Sequence, residues 1–142
     1  MKILRLLDLR EQQEQQAKGI FSQNLAYWKL ELGRLDNLKK ELLQVEGLLH
    51  EHEKLRVNIW QQYAKYLTKL RDMIKTQKQQ VEKKRGDMEK ARLHWEKCRT
   101  EKEKMEVLLK KRAEIKRERE KTMAQNELDE IGRAIILRGI KA

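Results

Sequence analysis

The chain has 142 residues with no Pro and six Gly, and its side chains are 40% charged but only 5% aromatic. Such a composition excludes an ordinary compact globule with a large core; it fits long helices, provided the apolar residues keep a helical period that sets them apart from disorder. The formal net charge of +11 is uneven: residues 1–57 carry 10 basic and 9 acidic side chains, residues 58–142 carry 24 and 14, so the second half favours an acidic protein surface, nucleic acid or an anionic membrane.

The opening MKILRLLDL is too short and too interrupted by charge for a signal peptide. No run approaches the roughly 20 apolar residues of a membrane span. A first helix is predicted over about 3–48. Within it Phe21, Leu25, Trp28, Leu32 and Leu35 step by four and three, and Leu38, Leu42, Val45 and Leu49 resume after an extra three-residue step. That irregularity reads as a stammer, which overwinds a coiled coil locally. Residues 8–16 (DLREQQEQQ) offer few apolar contacts and predict loose packing. Gly19, Gly33 and Gly47 share one heptad position, either by coincidence or as a notch for a partner helix.

The apolar stripe loses phase over residues 46–58, between Gly47 and Asn58, and the hairpin turn is placed at about 49–57. One uninterrupted helix is the alternative. His50 and His52 flank Glu51 there, but i,i+2 spacing on a helix points them apart, and a structural metal site needs four converging ligands.

The second helix is predicted over about 58–130, on the order of 110 Å at 1.5 Å per residue. Trp60, Leu67, Ile74, Val81, Met88, Trp95, Lys102 and Leu109 occupy its a positions. Tyr63, Leu70, Gln77, Lys84, Ala91, Cys98, Met105 and Arg112 occupy its d positions. This 3-4 alternation implies a left-handed coiled coil. The fold expected is therefore all-α, one domain over 1–142: a long two-helix antiparallel coiled-coil hairpin whose second helix outruns the first. The excess length is unpaired helix. The tail at 131–142 adds an apolar cluster, Ile135, Ile136, Leu137 and Ile140, more apt for a contact than for a core.

No constellation suggests catalysis. Cys98, the one cysteine, rules out an internal disulfide, suits a reducing cytosol and sits at a d position as a small core residue. A nucleophile would need a positioned base, and His94 shows no Cys or carboxylate partner that suggests catalysis. There is no Gly-rich phosphate loop. Trp60 and Trp95 read as seam core. Tyr66 and Met73 lie beside the seam at g positions, where exposed aromatic and Met side chains serve as interface anchors. The basic run KKRAEIKREREK is interleaved with Glu114, Glu118 and Glu120 and holds no aromatic for stacking on bases, so an acidic protein suits it better than nucleic acid.

In order, LLDLREQQEQQA (Leu6 to Ala17), WQQYAKYLTKL (Trp60 to Leu70), HWEKCRTEKEKMEVLLKKR (His94 to Arg112) and NELDEIGRA (Asn126 to Ala134) resemble the FliJ family of flagellar type III export proteins. The resemblance implies a non-enzymatic, two-helix coiled coil similar in shape to the rotor stalk of rotary ATP synthases. Its implied partners are the export ATPase hexamer, the cytosolic domain of the export gate protein and export chaperones, with no cofactor, metal, small-molecule substrate or nucleic acid. It further implies a monomer when isolated, in the cytoplasm and peripheral at the cytoplasmic face of the inner membrane. By the same resemblance the gate-contacting surface falls on Tyr66, Leu70, Met73 and Gln77, with Tyr63 beside them. The ATPase contact falls on Leu4, Leu6, Leu7, Leu128, Asp129, Glu130 and Arg133. Gly132 stands where the family often has a better helix former. The competing readings are a nucleic-acid-binding coiled coil, a homomeric structural one, and the equivalent stalk of a virulence secretion system.

Overall fold

A computed structural model describes residues 2–51 and 56–141, with side chains as far as residue 139. Two helices and, among the described residues, no strand make up the fold: α1 spans Lys2–Glu51 and α2 spans Val57–Lys141. The chain is a helical hairpin with the longer helix second, not one uninterrupted helix. Without Pro, nothing removes a backbone donor inside either helix, so both run past the ends predicted for them, from 48 to Glu51 and from 130 to Lys141. The segment 135–137 is therefore helix rather than tail. The start of α2 is marked by the Trp60 N–H donating to the Arg56 carbonyl at 3.0 Å. Residues 52–55, where the predicted turn is centred and where His52 lies, are outside the described residues; Gly47 is in α1 and Asn58 in α2.

Contacts gather the chain into two units, Gln13–Cys98 and the pair Met1–Gln12 with Arg99–Ala142. In Gln13–Cys98 the two helices pair along a seam. On α2 the buried and half-buried positions from Tyr63 to Cys98 include every predicted a and d residue. The deepest part joins Val45, Leu67 and Leu70, with Leu38, Leu42, Leu49 and Tyr63 packed against them. Burying each such aliphatic side chain contributes about 1.5–3 kcal/mol.

On α1 the seam departs from the sequence reading. Its positions run Glu14, Ala17, Phe21, Asn24, Trp28, Glu31, Leu35, Leu38, Leu42, Val45 and Leu49, in steps of three and four throughout. There is no stammer. The sequence reading chose Leu25 and Leu32 because they are apolar, whereas the continuous heptad passes through Asn24 and Glu31; all four side chains are half-buried. The stretch expected to pack loosely, residues 8–16, contains the buried Glu14, and the buried Ala17 follows directly after it. Glu14 accepts a hydrogen bond from the Trp95 indole at 3.0 Å, and Phe21 stacks on the same indole with ring centroids 5.4 Å apart.

In the other unit Ile3, Leu7 and Arg10 are half-buried, as are Glu101, Lys102, Met105 and Leu109. Beyond Leu109 every residue to Gly139 is exposed except half-buried Gly132.

Candidate protein-docking faces

A heptad seam sorts side chains by position: a and d are covered by the facing helix, while e and g flank it and keep one side in water. The five residues assigned to the gate contact divide along that line. Leu70, at d, is 1% exposed, the most buried large side chain among the described residues. Tyr63, also at d, packs on the Val45–Leu67–Leu70 cluster. Gln77 is half-buried, and its Nε2 donates to the Glu31 carbonyl at 3.0 Å and to the Glu31 carboxylate. Tyr66 and Met73, one heptad apart at g, are 38% and 43% exposed. They alone of the five present a substantial apolar surface to solvent.

Tyr66 is also tied across the seam, since its hydroxyl donates to the Glu41 carboxylate. That hydrogen bond, then burial and the nearby negative charge, raise the Tyr66 hydroxyl above its ordinary value. On the opposite flank Arg71 meets Glu46 at 3.4 Å, above a shallow concavity lined by Glu46, Leu49, His50, Trp60, Leu67 and Arg71. Trp60, assigned to the core, is 51% exposed. It occupies an a position in the first turn of α2, where the seam is only beginning to be covered. Further along α2, hydrogen bonds from Arg85 and Arg92 hold the carboxyls of Glu82 and Glu89 below the usual carboxylate range.

The residues assigned to the ATPase contact belong to the other unit. Leu4 and Leu6 are exposed and Leu7 is half-buried. Leu128, Asp129, Glu130 and Arg133 are all exposed, with Gln125 Nε2 donating to Asp129 at 3.2 Å. Leu128 lies 19 residues beyond Leu109, where the half-buried positions of α2 end, roughly 28 Å of helix at 1.5 Å per residue. Leu128, Ile131 and Ile135 follow 3-4 spacing and form one exposed apolar stripe.

A Cβ on Gly19, Gly33 or Gly47 would meet nothing within 4 Å, so the three glycines line no close helix approach. His94 does have a cysteine neighbour: its Nε2 lies 3.7 Å from Cys98 Sγ. The i,i+4 spacing of the two residues carries that contact and could have revealed it. Among the described residues no group of three His, Cys, Asp or Glu could hold a metal ion. Among the same residues no helix is long and apolar enough to cross a membrane.

Such a surface, with long exposed helical faces and paired charges, is suited to binding other proteins. Over residues 2–140 the chain matches the family described as Flagellar FliJ protein. Comparison with curated proteins finds no match, and neither does comparison with solved structures. Because the family match covers nearly the whole chain, the chain belongs to the FliJ family and is a flagellar export-associated protein, of a family that is a non-catalytic export component.

Proposed function

We propose that this chain is a non-enzymatic stalk of the flagellar type III export apparatus, which binds the export ATPase hexamer and links it to the cytosolic domain of the export gate protein and to export chaperones. The observation that carries this reading is the thirty-residue stretch of α2 from Lys110 to Gly139, exposed apart from Gly132, in a chain of this family. A helix that buries none of its faces gains little from packing and is marginal by itself, so a partner that covers it accounts for its length. The ATPase contact uses Leu128, Asp129, Glu130 and Arg133, supported by the N-terminal leucines Leu4, Leu6 and Leu7. The gate contact uses the outward flank of Tyr66 and Met73, with Tyr63, Leu70 and Gln77 holding that flank in place from the seam. Neither contact needs a cofactor, a small-molecule substrate or nucleic acid. The isolated protein is a cytoplasmic monomer and becomes peripheral to the inner membrane through its partners.

The test is a titration of this protein into the export ATPase of the same organism while ATP turnover is followed. Saturable stimulation at physiological salt supports the stalk. An unchanged rate, with an active ATPase and a folded hairpin, would remove the ATPase contact and leave the gate as the remaining partner.

A further inference from the structure

A heptad seam is periodic, so an antiparallel hairpin built only of apolar layers can slide by one heptad and bury nearly the same surface. In Gln13–Cys98 two contacts break that degeneracy. At one end of the unit Glu14, 6% exposed, accepts the Trp95 indole hydrogen bond while its second carboxylate oxygen is buried without a partner. Mid-seam, the Gln77 amide donates to both the carbonyl and the carboxylate of Glu31. The two contacts fall on one antiparallel register, with Glu14 facing Trp95 and Glu31 facing Gln77.

We propose that Glu14 and Gln77 are the residues that set the register of the hairpin, by making every neighbouring register leave a buried polar group without its partner. A slip that carries Glu14 to Met88 carries Glu31 to Leu70. Both carboxylates then face apolar side chains; half-buried Glu31 keeps only Arg34 on its own helix as a partner, while buried Glu14 is left with none, which is strongly disfavoured. The opposite slip sets both carboxylates against lysines, at 84 and 102. It also strands the Gln77 amide against Leu38 and takes the acceptor from the Trp95 indole. At the buried Glu14 position the cost of taking a lysine ammonium out of water offsets the attraction of the new ion pair. The register also determines which α1 residues flank α2, including the Glu41 carboxylate that holds the Tyr66 hydroxyl. This last consequence matters for binding only if the gate reading above holds; the register itself does not depend on it.

Disulfide trapping in the full chain reads the register directly. Ala17→Cys with Ala91→Cys, in a Cys98→Ser background, reports the observed register. Ala17→Cys with the natural Cys98 reports a slip one way. Ala17→Cys with Lys84→Cys, again with Cys98→Ser, reports the other. The expected result is cross-linking of the 17/91 pair alone. Adding Glu14→Leu and Gln77→Leu should raise one of the slipped pairs at least severalfold with helicity retained, whereas Glu14→Gln, which keeps an acceptor for the indole, should restrict trapping to 17/91. Should the double variant lose helicity, Trp95→Phe, which removes the indole donor and keeps a smaller aromatic ring in that layer, serves the same comparison. Trapping confined to 17/91 in the folded leucine variant would overturn the proposal and assign the register to the turn and the apolar layers. Equal trapping of all three pairs in the unsubstituted chain would overturn it as well. Both readouts stand whether or not the chain binds a gate or an ATPase.

Discussion

Leu70 and Tyr66 are four residues apart on α2, yet one is in the seam and the other beside it, and substitution should separate them. Leu70→Ala removes the most buried large side chain and should cost about 2–5 kcal/mol through lost transfer energy and a residual cavity, read as a fall in melting temperature with little specific effect on partners. Tyr66→Ala with Met73→Ala should lower stability far less and weaken gate binding severalfold while helicity stays intact. Equal destabilisation by both changes would place Tyr66 and Met73 in the core. The titratable groups along α2 give a second test. The Glu82 and Glu89 carboxyls are held low by Arg85 and Arg92, so their contribution is present above the unfolded carboxylate value of about 4.3 and is lost as pH falls through the depressed values. The Tyr66 hydroxyl is held high by Glu41, so its contribution is present below about 10 and is lost as pH rises through the raised value. These groups should therefore give the melting temperature a shallow acid limb and a shallow alkaline limb, since all three face solvent. Tyr66→Phe should flatten only the alkaline limb.

At the scale of the helices, α2 divides at Leu109 into a part with seam contacts and a part without. Hydrogen exchange should report that division: amides of Tyr63–Cys98 open only with the hairpin, whereas those of Lys110–Gly139 exchange through local opening at far lower free energy. Gly132 weakens the second part. Nothing lies within 4 Å of a Cβ placed there, so Gly132→Ala should stabilise the local helix by roughly 1 kcal/mol and slow exchange of nearby amides about fivefold. An unchanged rate would mean that opening in this stretch does not pass through residue 132. The same division explains what the sequence reveals. The α2 seam was legible to the residue because apolar side chains hold nearly all of its a and d positions. On α1 the reader meets Leu25 and Leu32 beside Asn24 and Glu31, and choosing apolar over polar creates a stammer that the helix does not have. Hydropathy cannot announce that Glu31 accepts from Gln77 or Glu14 from the Trp95 indole, because each partner is supplied from 46 or 81 residues away. Trp60 was misplaced for a related reason: heptad position assigns a side chain to the seam but does not show where the seam begins.

For the molecule as a whole, the chemistry lies in the order of charge along the chain. Of the net +11, the first 57 residues supply +1 and the remainder +10. The run Lys110–Lys121 lies on the exposed part of α2, where charge is screened by salt over a Debye length of about 8–10 Å. If that helix docks into a partner with acidic loops, raising salt should slow association more than it speeds dissociation. Removing residues 122–142 separates steering from contact, because it keeps Lys110–Lys121 and deletes Leu128, Asp129, Glu130 and Arg133. The truncated protein should keep the melting transition of Gln13–Cys98 and its gate binding, while its stimulation of the export ATPase disappears at any concentration reached by the full chain. Stimulation that persists after truncation, and falls instead when Lys110–Lys121 are neutralised, would move the working contact from the apolar stripe of Leu128, Ile131 and Ile135 to the basic helix before it.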